Sequence, residues 1–142
     1  MSVEDNKSLI RRFVEEVYNK GDLSIIAEFT SPSLIFVNPL GVEYRGVEGM
    51  TRLATSLRKR SPDLHVTIED MLGEGEKVAT RERWRTPSRK TDITCAMFYR
   101  FEDGKCVEAV EFIDMLRWYQ QWGVPPPGYE LRKEGEGSSR VG

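Results

Sequence analysis

The amino-terminal half of the chain carries apolar residues at a helical spacing. The first stripe consists of residues that recur every three or four positions: Leu9, Ile10, Phe13, Val14, Val17 and Tyr18. Such a stripe predicts an amphipathic helix with one face on a core. Ser2 or Asp5 can cap its start, and Gly21 is placed to end it. A second helix is predicted over 22–29 and a third over about 47–60.

The remaining apolar positions predict strands. Residues 34–37 form a short apolar run that ends at the turn sequence of residues 38–41. After residue 63 the pattern alternates, which predicts strands beginning at Leu64 and over 78–86, 91–101 and 107–115. Residues 102–104 are expected to form a three-residue hairpin loop with Gly104 in the left-handed conformation. Three helices followed by a meander of antiparallel strands predict an α+β fold with the helices on one face of a curved sheet.

The carboxy-terminal residues predict little further structure. Residues 115–122 are expected to add one helical turn before a segment rich in Pro and Gly. Residues 129–142 are charged and rich in Gly and Ser, and we expect them to be disordered. We therefore expect one domain over 1–128 followed by a tail.

Composition and charge narrow the classes of function. A chain of 142 residues fits one domain, and its 21 basic and 23 acidic residues give no electrostatic reason to expect nucleic acid or an anionic membrane as partner. No apolar run approaches the roughly 20 residues that span a bilayer. The polar amino terminus does not resemble a secretory signal, so we expect a cytoplasmic protein. With two cysteines and one histidine, we expect neither a disulfide framework nor a metal site, and no cofactor.

Three blocks of sequence are characteristic in their order and spacing. They are NKSLIRRFVEEVYNKGD (6–22), SPDLHVTIED (61–70) followed by GEKVA (75–79), and YRFEDGK (99–105) with Val107, Glu108 and Asp114 downstream. Together they cover roughly residues 6–127 and resemble the SnoaL-like polyketide cyclases of the nuclear transport factor 2-like superfamily. The resemblance implies a cone-shaped fold whose pocket, between sheet and helices, is about the size of a polycyclic or terpenoid molecule. It also implies a hydrophobic small-molecule ligand and a homodimer formed through the outer face of the sheet.

The resemblance also suggests which residues face the pocket. A three-residue hairpin loop would pair Cys95 with Glu111, Met97 with Ala109 and Tyr99 with Val107. Similar cyclases have an acid–base Asp where Glu111 falls and a His where Met97 falls. The chain keeps a carboxylate at the first position and lacks the histidine at the second. We expect Cys95, Met97, Tyr99 and Glu111 to line the pocket together with Ile93.

A second carboxylate lies on the neighbouring strand. Glu82 shares one face of its strand with Trp84, while three arginines (Arg81, Arg83 and Arg85) occupy the other face. Burial in an apolar pocket would raise the pKa of a carboxyl group and suit it to acid or base catalysis near neutral pH. The alternative is that Glu82 and Glu111 pair with arginines, or point outwards because the strand register is shifted by one. Trp84 and Tyr99 are expected to be pocket wall, and Tyr99 can also donate a hydrogen bond.

Comparison with ketosteroid isomerases of the superfamily argues against one mechanism, the dienol isomerisation that those enzymes catalyse. Where those enzymes carry their three acid–base groups, this chain has Phe13, Asn38 and Met97. Asn38 cannot abstract a proton, although it can orient a carbonyl group or a water molecule. It can equally be a turn residue before Pro39.

Two classes of function remain open at this point, because the fold does not choose the function. The first is cofactor-free acid–base catalysis, an aldol-type cyclisation or an isomerisation, or the related lyase chemistry, on a hydrophobic carbonyl compound. Glu111 would be the main acid–base group, with Glu82 as second carboxylate and Asn38, Trp84, Cys95, Met97, Tyr99 and Phe13 around the substrate. The second is a non-catalytic small-molecule-binding or dimerisation module, which the missing histidine favours. The short connection over 87–90 predicts a pocket mouth that is open, or covered by the Pro-rich segment or a partner subunit.

Overall fold

The amino-terminal stripe forms helix α1, Val3–Phe13, in a computed structural model that describes residues 1–123. Ser2 Oγ accepts a hydrogen bond from the Asp5 amide, and the Asp5 carboxylate accepts one from the Ser2 amide. Both predicted capping residues are therefore used, in a reciprocal cap. The helix continues as a π-helical segment, Val14–Asn19, and the chain leaves it at Gly21 with φ of +75°. The predicted tail over 129–142 lies outside the described residues.

The second helix is shorter than the sequence predicts. Helix α2 covers only Ile26–Phe29, and its N-cap is Ile25 rather than the predicted Asp22. The Asp22 side chain instead accepts a hydrogen bond from the Ser24 amide, two residues on. Asp residues favour such a local turn as readily as a helix cap, so the pattern alone predicts too early a start.

The next elements differ in length from the prediction. Strand β1, Thr30–Val37, begins four residues earlier than expected, and strand β2, Glu43–Arg45, was not predicted. Pro32 is tolerated because the pairing of β1 is interrupted between Thr30 and Ile35. Helix α3, Gly46–Arg60, confirms the predicted third helix, with its three basic residues in the last turn.

Six strands form one mixed sheet. The remaining elements are β3 (His65–Glu74), β4 (Lys77–Thr86), a 3₁₀ turn (Pro87–Arg89), β5 (Thr91–Glu102), β6 (Lys105–Ile113) and α4 (Met115–Trp122). The strand order is β2-β1-β6-β5-β4-β3, and all neighbours are antiparallel except β1 and β6. Helices α1 and α3 pack against this sheet, which confirms the predicted α+β architecture.

The predicted register of the β5–β6 hairpin is wrong by two residues. Asp103 and Gly104 both have positive φ, so the loop has two residues and Glu102 pairs with Lys105. An irregularity between Arg100 and Phe101 then shifts the pairing once more. Met97 consequently lies opposite Glu111, Tyr99 opposite Ala109, and Cys95 opposite Ile113. Because the total shift is even, each residue stays on its predicted face.

Aromatic side chains fill much of the space between helices and sheet. The ring centroids of Phe13 and Phe29 are 4.2 Å apart, and Phe29 makes edge contacts with Tyr99 and Phe101. All four side chains are buried. This cluster fills the interior along the middle of β5.

On the edge strand β3, the backbone of Val66 is paired by the side chain of Asn19. The Asn19 side-chain amide donates to the carbonyl of Val66 at 2.9 Å, and its Oδ1 accepts from the Val66 amide at 2.7 Å. We predict that Asn19→Ala lowers the free energy of unfolding by about 1–3 kcal/mol, because it leaves buried backbone groups of an edge strand unpaired. Urea denaturation measures the effect. Lys20→Ala, at an exposed neighbour, is expected to change stability by less than about 0.5 kcal/mol.

Candidate functional site

A cavity of about 160 Å³ opens at the end of the sheet where β4 ends and β5 begins. The helix α3, the turn after β1 and the helix α4 complete its walls. Most of its lining is apolar, and its only charged side chains among residues 1–123 are Glu111 and Arg60. The lining residues are Asn38, Pro39, Leu40, Tyr44, Leu53, Leu57, Arg60, Ser61, Leu64, Trp84, Thr86, Thr91, Ile93, Glu111, Ile113, Met115 and Trp118.

Glu111 enters this cavity from β6. It is only 9 % exposed, and within the described part of the chain no cation forms an ion pair with its carboxyl group. Burial raises its pKa from 4.5 to about 7, and the nearby charge of Glu82 adds to the rise. A carboxyl group with this pKa can both take up and release a proton at neutral pH.

Glu82 is buried more deeply and is not part of the cavity lining. Its side chain is 0 % exposed, and three side chains donate to it. The Thr80 hydroxyl donates to Oε1 at 2.8 Å, the Trp84 indole N–H donates to Oε2 at 2.9 Å, and the Tyr99 hydroxyl donates to Oε1 at 3.3 Å. Burial raises the pKa of Glu82, while the three donors oppose the rise. No arginine within residues 1–123 pairs with it; the arginines at 81, 83 and 85 are exposed on the other face, as predicted.

Trp84 separates Glu82 from the cavity. The indole ring lines the cavity, and its N–H points away to Glu82. On the far side, the Trp84 and Tyr18 ring centroids are 5.0 Å apart. Tyr18 is buried and does not reach the cavity. Trp84 is thus the floor of the cavity, as its predicted role in the pocket wall requires.

Four of the predicted substrate-binding residues lie in the core rather than at the cavity. Phe13, Cys95, Met97 and Tyr99 are all buried, and none of them lines the cavity. They lie farther along β5 or on α1, where the aromatic cluster closes the interior. Of the residues that the sequence placed in the pocket, Glu111, Trp84, Asn38 and Ile93 meet at the cavity.

Asn38 lines the cavity from the turn after β1. Its Oδ1 accepts hydrogen bonds from the amides of Leu40 at 3.0 Å and Val42 at 2.9 Å. The turn role of Asn38 is therefore confirmed. Its carbonyl oxygen is committed to the turn, and only the Nδ2 amide group is left to donate to a ligand.

Helix α4 supplies a wall that sequence reasoning did not assign to the site. Met115 and Trp118 line the cavity, and Asp114 caps the helix by accepting from the Arg117 amide. Gln121 exchanges two hydrogen bonds with the backbone of Asp92, which holds α4 against β5. The apolar spacing within 115–119 was a signal for this wall, since it gives one helical face to the core.

The cavity is smaller than the resemblance implies. Drug-sized ligands usually occupy about 300–1,000 Å³, whereas a cavity of about 150 Å³ holds a single benzene ring. The expectation of a pocket for a polycyclic molecule is therefore wrong for this conformation. The physical reason is the row of large side chains, Trp84, Tyr18, Phe13 and Phe29, that occupies the interior.

None of the helices within 1–123 is long and apolar enough to cross a membrane. Over the same range no three acidic, cysteine or histidine residues cluster as metal ligands. Cys95 and Cys106 are both buried and free.

The raised pKa of Glu111 predicts a pH-dependent cost in stability. Between pH 4.5 and 7 the folded protein holds a proton that the unfolded chain has released, so stability falls as the pH rises. We predict that Glu111→Gln removes this loss and is more stable than wild type by up to about 3 kcal/mol at pH 8, with little difference at pH 4. Urea denaturation of both proteins across this range measures it. A difference that does not vary with pH would contradict the raised pKa.

Solved structures share this fold. TsrD from Streptomyces laurentii superimposes with a TM-score of 0.76 at 22 % identity, covering 88 % of this chain and 99 % of that protein. A proposed SnoaL-like polyketide cyclase from Jannaschia sp. CCS1 gives 0.75 at 19 % identity, covering 87 % and 94 %. AclR from Streptomyces galilaeus, a proposed hydroxylase, gives 0.71 at 25 % identity, covering 86 % and 98 %.

Sequence comparison gives the family directly. No curated protein matches the chain. The profile of the SnoaL-like domain, however, matches residues 10–109, which run from the last turn of α1 to the middle of β6 and include Glu82. With the cone-like arrangement of helices on the curved sheet, this match shows that the chain belongs to the SnoaL-like domain family of the nuclear transport factor 2-like fold.

Proposed function

We propose that the protein is a cofactor-free acid–base enzyme, a cyclase or isomerase, that acts on a hydrophobic carbonyl compound in the cavity. The observation that carries the proposal is Glu111, a carboxyl group in an apolar cavity that has no ionic partner among the described residues and a pKa of about 7. Keeping such a group buried costs stability, and groups with shifted pKa values concentrate at functional sites. Family membership supports the same class of reaction.

The chemistry follows from the two protonation states of Glu111. The ionised carboxylate takes a proton from the carbon next to a carbonyl group, and the electron pair of the C–H bond moves onto the carbonyl oxygen as an enolate. In an isomerisation the protonated Glu111 returns the proton to a different carbon. In an aldol cyclisation the enolate carbon bonds to a second carbonyl carbon, and Glu111 gives its proton to the new alkoxide. The free Asn38 amide is the proposed donor to the developing oxyanion.

We propose that Glu82 influences this chemistry from behind Trp84, without lining the cavity. Burial is the main cause of the raised pKa of Glu111, and the charge of Glu82 adds to the rise without Glu82 touching a substrate. Tyr99 hydrogen-bonds Glu82, and Cys95, Met97 and Phe13 pack in the core beside it. We propose that these residues support the site instead of contacting the substrate.

A binding module without catalysis is the competing function. Met97 lies opposite Glu111, where the similar cyclases carry a histidine, so Glu111 has no titratable partner on β5 at that position. The cavity would then select a ligand by shape alone. The two functions differ in whether Glu111 exchanges a proton with the ligand.

Proton exchange on small cyclic ketones tests the proposal. We predict that the wild-type protein accelerates exchange of the protons next to the carbonyl group in D₂O, followed by NMR. Glu111→Gln should lower this rate by about 10²–10⁴-fold while ligand affinity changes little, because only the proton acceptor is lost. The rate should rise with pH around a midpoint near 7, as the carboxylate forms.

Glu108→Gln is the matched control. Glu108 lies on the same strand, is exposed and faces Arg100 at 3.6 Å, so its loss should leave exchange at the wild-type rate. Unchanged exchange in Glu111→Gln would refute the catalytic assignment. Ketone binding without any exchange in the wild-type protein would establish the binding module instead.

We also propose that the protein is a cytoplasmic homodimer, with its two reduced cysteines buried. Phe98 and Phe112 are 53 % and 57 % exposed on the outer face of the sheet, with ring centroids 6.0 Å apart. An exposed aromatic pair on a sheet face suits association with a second copy.

Sedimentation tests the dimer. The wild-type protein should sediment at twice its 16.3 kDa monomer mass, and Phe112→Glu should shift it to the monomer, since it buries a charge in the contact. Leu116→Glu, at an apolar residue exposed on helix α4 and not on the outer face of the sheet, should leave the dimer intact. A wild-type monomer would contradict the assignment.

A further inference from the structure

The depth of the cavity is set by one side chain. Trp84 is the lining residue whose ring also contacts the buried aromatic core, through Tyr18. Tyr18 in turn makes an edge contact with Phe13, which packs on Phe29. Behind the indole there is thus a continuous row of rings, and an open cavity exists only in front of it.

The orientation of Trp84 is fixed by Glu82. An indole N–H can only donate, and within a buried region it requires an acceptor. Glu82 Oε2 is that acceptor at 2.9 Å, while Oε1 is held by Thr80 and Tyr99. Since Glu82 is anchored from two neighbouring strands, β4 and β5, it holds the indole across the base of the cavity.

We propose that Glu82 is a positioning residue, and that the Trp84 floor it holds restricts the site to carbonyl compounds with a single ring or a chain of comparable size. The carbonyl group in this inference rests on the proposed function, whereas the size limit rests on the geometry of the cavity. The available volume of about 160 Å³ admits one six-membered ring beside Glu111 and leaves no space for a second ring behind it. Larger family substrates would need the interior that the aromatic row fills.

The apolar lining defines the rest of the ligand. Leu53, Leu57, Leu64 and Ile93 surround the cavity, so the ring should be hydrocarbon apart from its carbonyl group. Asn38 and Arg60 are the polar side chains that reach it from the turn and from the end of α3. A polar substituent on the ring is therefore expected to point towards this side.

Binding of ketones of increasing size tests the size limit. NMR titrations of the full-length protein would use cyclohexanone, 1-tetralone and a three-ring tetrahydrophenanthrenone, and compare dissociation constants within each protein. Wild type should bind cyclohexanone at least as tightly as 1-tetralone. Trp84→Leu should shift the ratio of the two constants by about tenfold towards 1-tetralone, because space opens towards Tyr18. Trp84→Phe should give a smaller shift in the same direction.

Phe101→Leu controls for general loosening of the core. Phe101 is buried against Phe29 and does not line the cavity, so this variant loses an aromatic ring but should keep the wild-type size ranking. A wild-type ratio in both Trp84 variants would overturn the proposal. So would tighter binding of the three-ring ketone than of cyclohexanone to wild type, or no binding of any ketone.

Two substitutions of Glu82 separate positioning from charge. Glu82→Gln keeps an oxygen acceptor for the indole N–H and should retain the wild-type size ranking. Glu82→Leu has no acceptor for the indole N–H, so the indole is released. The ratio of the two dissociation constants should then shift towards 1-tetralone by about threefold or more. Equal rankings in the two variants would refute the positioning role.

The outcomes are distinct from those for the proposed function, because they are read from binding and not from turnover. Selective binding of the one-ring ketone with no proton exchange would leave the size limit intact and refute catalysis. Proton exchange that depends on Glu111, together with a ratio of dissociation constants that the Trp84 substitutions leave unchanged, would do the reverse.

Discussion

Three hydrogen bonds to the buried carboxyl group of Glu82 fix the side chains at the base of the cavity. Glu82 accepts from a hydroxyl on its own strand, from the indole of Trp84 and from the phenol of Tyr99 on β5. Because the group is fully buried, each donor offsets part of a large desolvation cost, and losing one would leave the others strained. The inner face of the sheet, the floor of the cavity and the electrostatics of Glu111 all depend on this arrangement.

The two inner carboxyl groups show how environment divides their roles. Both are buried and both have raised pKa values, mainly because burial disfavours the charged form. Glu82 has donors on both oxygens and no access to the cavity, which makes it a structural charge. Glu111 faces the cavity and has no ionic partner within residues 1–123, which leaves its proton free to move. The sequence pattern treats them alike, since both are single acidic residues on the inner faces of strands.

The spacing of apolar residues was sufficient to predict the α+β architecture. The hairpin register and the cavity volume depend instead on backbone angles and side-chain packing. The stripe of α1, the alternation of β4 and the end of α3 at Arg60 followed from spacing, and the inner position of Glu82 and Glu111 followed from strand alternation together with the family resemblance. The hairpin register failed because the choice between a two- and a three-residue loop depends on backbone angles that Asp103 and Gly104 permit equally. The expected cavity volume was too large, because the volume depends on how aromatic rings from distant segments fill the interior. No local sequence pattern encodes that packing.

The pKa of Glu111 is the quantity on which the functional account stands. A ¹³C NMR titration of the glutamate carboxyl carbons, with Glu111→Gln used to assign its resonance, measures it directly in the folded protein. The account predicts a midpoint near 7. A midpoint near the ordinary 4.5 would mean that the carboxyl group is solvated or paired, and would contradict both the buried site and its acid–base role.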